Sequence, residues 1–246
     1  MNRKTLLAGL TLIAFPILVQ VPFSLLAVNF SYPDILSRPA GEVLTRFHDG
    51  GSAMIWTWYA YALCTIGLGL AALLLPDALG RTGTVARMSV ATGVLAAVVQ
   101  MLGLLRWTMV VPFLASRWVE QPEQRPMIEL AYEVQHRLFG VMIGEHAGQL
   151  FMGLRTALAS VMLIQSGRSK IVASIGFAST FLFITGMGAQ LARALSMPAF
   201  VLHLPMLAFV AWSVWAIAAG VSVLRASKQL PEASLLRGQS PVAQHP

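Results

Sequence analysis

The chain has 246 residues, of which 57% are hydrophobic and 11% charged, with a formal net charge of +7. An average globular chain is about a quarter charged, and the mean hydropathy here is +0.70. Together these values exclude a disordered chain, a soluble α/β enzyme and a disulfide-stapled secreted module.

Six stretches are long and apolar enough to cross a bilayer as helices, a length of about 20 residues each. They run from about Thr5 to Val28, Ser52 to Leu75, Met88 to Ala115, Leu138 to Gln165, Ile171 to Leu195 and Pro198 to Leu224. The expected fold is therefore all-α, a polytopic six-helix membrane domain over residues 1–225. Residues 226–246, rich in Ser, Gln, Pro and Ala, are expected to form a disordered tail.

The first span follows Arg3 and Lys4, as a signal peptide would. Its apolar run is too long for such a segment, and Leu25 stands where cleavage after Ala27 wants a small residue. A retained anchor helix is expected. Prolines Pro16, Pro22 and Pro112 should kink their helices, Pro198 should start the sixth span and Pro205 bend it.

Between the first two spans, PAGEVLTRFH (Pro39–His48) places Val43, Leu44 and Phe47 on one face and Glu42 and Arg46 at i,i+4 on another. This predicts a short interfacial helix, ended by Gly50-Gly51. A second helix should begin at Pro126, a favoured first helical position, and run directly into the fourth span. A single helix of that length must project from the bilayer or break near its glycines.

Basic residues in the loops and tail fix the expected orientation. With the N-terminus inside, the inner segments hold Arg3, Lys4, Arg81, Arg87, Arg168, Lys170, Arg225, Lys228 and Arg237. The outer ones hold Arg38, Arg46, Arg117, Arg125 and Arg193. Both termini are expected in the cytoplasm of a bacterial cell, with the protein in the plasma membrane. The bilayer is then the main partner. The basic residues are too scattered for a nucleic-acid face, so no nucleic acid is expected. Cys64 is the sole cysteine, which excludes an intrachain disulfide and leaves a buried structural thiol as its expected role.

Ionisable groups inside a span are expensive and mark candidate sites. The fourth span contains Gly140, Gly144 and Gly148, a small-xxx-small stripe suited to close helix packing. A homo-oligomer or another membrane protein is the candidate partner for the fourth span. Beside it, at the 100° per residue of an α-helix, Glu145 lies about 80° from the stripe's middle and His146 about 180° from it. Both cannot then face one neighbour. Arg106 of the third span is the expected counter-ion of Glu145. The alternative places Arg106 and Trp107 at the outer interface, with Trp107 in the aromatic belt and Arg106 snorkelling.

Arg106, Glu145, His146 and Arg155 are the candidate ligand-binding residues. Arg155 falls near mid-membrane and shares a face with Gly148, with Gln20, Gln100 and Gln190 as possible partners. It is either a buried Arg satisfied by amides or an anion site. His48, His136, His146 and His203 all belong to the outer half, and His48, His146 and His203 are the candidate metal ligands. Haem or zinc is the alternative to no cofactor, although neither HExxH nor CxxCH occurs. No Walker A loop, GxSxG or dinucleotide fingerprint is present, so no catalytic residue is assigned and an enzyme is not the favoured class.

The stretches SYPDILSRPAGEVLTRFHDGG, IWTWYAYAL, LLRWTMVVPFLA and FGVMIGEHAGQLFMGL resemble a family of bacterial six-span membrane proteins, a domain of unknown function. The resemblance spans most of the chain and excludes the tail. It rests on Pro33-Asp34, Trp58-Tyr59, Arg106-Trp107, Pro112 and Gly144-Glu145-His146. It implies six spans and no particular activity. On function, a membrane protein that binds or passes a small solute through an outer-half polar pocket leads. A haem- or metal-binding protein and a structural or accessory subunit are the alternatives.

Overall fold

In a computed structural model of the chain, residues 3–188, 195 and 204–237 are described. Among these there is no strand. Six helical units are long and apolar enough to cross a membrane.

The first unit is α1 (Arg3–Leu18) and α2 (Gln20–Phe30), interrupted at Val19 between Pro16 and Pro22. Each proline removes a backbone donor and crowds the preceding turn, so the expected kink falls between them. The second unit is α4 (Gly51–Ala78). The third is α5 (Thr84–Met109), which breaks at Val110 and resumes as α6 (Val111–Glu120) with Pro112 in its first turn.

The fourth unit is α7 (Arg125–Gln135), a π-helical segment (His136–Ala147) and α8 (Gly148–Gln165). The glycines do not break the helix; Gly140 and Gly144 lie within a wider winding with i→i+5 bonds, and Gly148 begins the regular helix that follows. The fifth unit is α9 (Lys170–Met187), whose N-cap Ser169 accepts from the Val172 amide. The sixth is α10 (Leu204–Arg237), which stays helical past Arg225 into the polar tail. Residues 238–246 of that tail, and the Pro198 start of the sixth span, lie outside the described residues.

Each unit packs on the next in chain order, α1 on α4, α4 on α5, α5 on α8, α8 on α9 and α9 on α10, and α10 returns to α1. The six form a closed ring. Short connections between antiparallel neighbours produce this arrangement. Its surface chemistry is inverted relative to a soluble bundle. Val21, Leu70, Leu73, Leu102 and Phe181 point outward, while Ala8, Ala62, Ala71, Ala96, Ala159 and Ala219 are buried. Hydrocarbon solvates the large side chains, and small ones let the backbones approach.

The ring has two distinct ends. At one, α4 and α8 each finish in a Schellman motif. Gly80 and Gly167 take positive φ (62° and 66°), and the Arg81 and Arg168 amides donate back to Pro76 and Leu163. Arg81 Nε then donates to Ser166 Oγ at 2.8 Å, and Lys4 pairs with Asp77 at 2.7 Å. One ion pair and one hydrogen bond thus tie the start of α1 and the α8–α9 connection to the end of α4 and its following loop.

The other end is capped by α3 (Ala40–Asp49) with α6 and α7. Helix α3 has the predicted limits and the predicted Glu42–Arg46 pair, 3.6 Å apart. Its apolar face, however, meets protein instead of lipid. Val43, Leu44 and Phe47 are buried in a cluster with Trp58, Trp107, Val111 and Leu114. An interfacial helix would have left that face open. Here the break at Val110 folds α6 across the end of the ring and supplies a protein surface for it.

Candidate functional site

Under the cap, aromatic rings form a continuous stack. Trp58 and Trp107 lie parallel with centroids 4.6 Å apart, and Phe47 stacks on Trp107 at 5.9 Å. Phe30 and Tyr32 meet these rings edge-on. Edge-to-face and offset contacts suit the ring quadrupoles. Trp107 is only 1% exposed, so it is a core residue. This overturns the aromatic-belt alternative, because the ring is covered on its faces and edges by protein side chains.

Arg106 does not snorkel either. It is 7% exposed, with its guanidinium carbon 5.1 Å from the Trp107 ring. Nη1 donates to the Gly103 carbonyl at 2.7 Å. Nη2 donates to His136 Nδ1 at 3.4 Å, and since Arg only donates, the His136 proton resides on Nε2. Tyr132 stacks on the His136 ring and holds it in place. Nε of Arg106 has no partner.

The glycine stripe explains how a guanidinium is accommodated here. A Cβ at Gly140 would lie 2.6 Å from Arg106 Cζ. One step deeper, a Cβ at Gly103 would lie 2.7 Å from Gly144 Cα, and one at Gly148 would lie 3.2 Å from Gln100 Cγ. Gly140, Gly144 and Gly148 therefore face Arg106, Gly103 and Gln100 of α5 in turn. The stripe packs on α5 of the same chain.

Glu145 is half-buried and lies within electrostatic reach of both Arg106 and Tyr32. The expected direct ion pair is not formed: the Arg106 hydrogen bonds go to Gly103 and His136. Glu145 has an interaction of its own. His146 is exposed, and its Nδ1 donates to the Met187 carbonyl of α9 at 3.0 Å, which leaves the lone pair on Nε2. Glu145 and His146 thus face different neighbours, as their spacing required.

Burial of the Tyr32 hydroxyl, and then the Glu145 carboxylate, push its pKa up to about 12, against the pull of Arg106. Tyr32 enters the site on the loop after α2, whose last turn ends at Ser31 with φ 54°, held by Arg46 Nη1 donating to Ser31 Oγ.

His48 is exposed at the end of α3, and His203 lies outside the described residues. Among the described residues no three His, Cys, Asp or Glu side chains gather to hold a metal ion. Arg155 is buried inside the ring at 1% exposure, away from the Arg106 neighbourhood. Cys64 is half-buried, not buried as expected, because the groove it lines with Leu10, Ala14 and Phe15 between α1 and α4 leaves it partly open.

Sequence reasoning missed His136 and Tyr32 as site members. It also missed the Gly103–Gly144 contact, for which a signal existed: Gln100, Gly103 and Arg106 recur every three residues and match the glycine stripe.

Six apolar helices with lipid-facing Leu and Val and an alanine-lined interior define a multi-pass integral membrane protein. Residues 7–220 match the family described as Domain of unknown function (DUF4386), and the chain belongs to it. No curated protein and no solved structure matches the chain.

Proposed function

We propose that this is a non-enzymatic protein of a bacterial plasma membrane, with both termini cytoplasmic, that binds or passes a small solute at the capped, outer end. The site comprises Arg106, Glu145, His136 and Tyr32, with His146 at its edge. One observation carries this reading: a buried guanidinium held on a bare glycine face of a π-helical segment, with one nitrogen unpartnered and a carboxylate in electrostatic reach. Long π windings are rare and recur at functional sites, and ionisable groups at membrane depth mark solute and ion paths. Glu145 is the proton- or cation-responsive group, and Arg106 sets its charge state.

The test is proton movement in proteoliposomes, read with a trapped pH dye under imposed Na+ and K+ gradients. Wild-type vesicles should respond, and Glu145→Gln should abolish the response. An identical trace from both proteins, whether active or silent, would sink the proposal.

A second reading has one supporting observation. The Nδ1–H of His146 is held by a backbone carbonyl, the arrangement that presents Nε2 to a metal or haem iron. His203 of the sixth span and His48 are the remaining candidate ligands. Elemental analysis of untagged protein checks this. Iron or zinc at one per chain, lost in His146→Ala, would support it, and metal-free protein would end it.

A further inference from the structure

Arg155 of α8 is a different case from Arg106. It is 1% exposed, and Nε, Nη1 and Nη2 all lack a hydrogen-bond partner. The side chain crosses from α8 onto α5, where a Cβ at Gly93 would lie 2.8 Å from its Cδ and 2.9 Å from its Nε. The same position would strike Ala72 of α4. Small residues on two helices thus make room for the guanidinium inside the ring.

A guanidinium does not discharge itself by losing a proton. Uncompensated in a membrane interior, it carries a heavy electrostatic cost. The described residues supply no compensating charge. Among the described residues, no carboxylate lies within 4 Å of Arg155; the ion pairs join Lys4 to Asp77, Arg46 to Glu42 and Arg137 to Glu133. Glu145, the acid nearest in its own helix, stands ten residues away, about 15 Å along the axis. Amide partners do not substitute, because none of the three guanidinium nitrogens reaches an acceptor among the described residues; Gln190 lies outside them. Water would satisfy the hydrogen bonds and leave the charge.

We infer that Arg155 is the binding group for a small monovalent anion held inside the helix ring between α4, α5 and α8. A planar carboxylate fits best, since two parallel N–H donors on one guanidinium edge match its two oxygens. The closed ring and the near-complete burial restrict the ligand to the size of formate, nitrate or chloride. The inference does not depend on the outer site, and its test does not involve Glu145.

The experiment uses the full chain in mild detergent. Binding of labelled formate is measured at constant sodium, with gluconate as the excluded anion, and thermal unfolding is recorded in parallel. One formate per chain should bind saturably, compete with chloride and raise the unfolding midpoint relative to gluconate. Arg155→Gln should lower the formate affinity at least tenfold and abolish the anion dependence of unfolding. Arg155→Lys, which keeps the charge and loses the planar fork, should retain chloride binding and lose the preference for formate. Arg87→Gln, an exposed arginine at the start of α5, should behave as wild type. Absence of saturable binding to wild-type protein would overturn the inference even if no Arg155 variant folds. So would equal formate affinity in wild type and Arg155→Gln.

Discussion

The guanidinium of Arg106 rests on the bare backbone of Gly140, close enough that a Cβ there would lie 2.6 Å from its central carbon. So close an approach makes the seam between α5 and the fourth unit sensitive to single methyl groups, and to a different degree at each glycine.

Gly103→Ala should be the most damaging of these substitutions, because its new methyl meets the backbone of Gly144 at 2.7 Å, and backbone cannot swing aside. Overpacking of this kind costs about 1–3 kcal/mol or more. Gly148→Ala meets only the flexible Gln100 side chain at 3.2 Å and should be near neutral. Gly140→Ala should fall between them in stability and should displace Arg106 from His136. Unfolding midpoints of the three variants in one detergent check the order; equal midpoints would contradict the packing described here.

The stack of Trp107 between Trp58 and Phe47 should carry much of the cap's stability. Trp107→Ala should cost about 3–5 kcal/mol, as expected for a large aromatic removed from a core. Trp107→Phe should cost clearly less. Limited proteolysis offers a second readout: in Trp107→Ala the α3 segment should be cut faster, because Val43, Leu44 and Phe47 lose part of the surface they bury against.

Tyr32 should govern part of the alkaline stability. Its pKa in the fold is about 12, against an ordinary value of 10.0, so between those values the folded state holds a proton that the unfolded chain has released. Stability is therefore full below about pH 10 and falls as the pH rises through about 12. Tyr32→Phe should flatten that alkaline decline, and Glu145→Gln, which removes the second cause of the shift, should bring tyrosinate formation to lower pH. Ultraviolet difference titration of the two variants against wild type checks both statements.

Much of the organisation was legible in the linear pattern. The α3 limits, the Glu42–Arg46 pair, the start of α7 beside Pro126 and the breaks near Pro16, Pro22 and Pro112 are all local. Each depends on periodicity, a missing amide or an i,i+4 spacing, and these act within a few residues. The inward placement of Trp107 was not legible, since an apolar run followed by Arg-Trp reads equally well as an interface. Only the fold of α6 and α3 across the ring made that position an interior.

The candidate site divides in the same way. That Glu145 and His146 face apart followed from their adjacency on any helix. That Glu145 would pair with Arg106 did not follow, because the partner of a guanidinium depends on what its neighbouring helix presents, here the Gly103 carbonyl and His136. The sequence alone determined the six membrane-spanning units, because hydrocarbon demands a long apolar run for each crossing and satisfies backbone bonds within it. Tertiary structure alone decided the π winding, which helix the glycine stripe met and the unpartnered burial of Arg155. Those features are set by how closely two helix backbones approach, a distance that no spacing along one strand of sequence encodes.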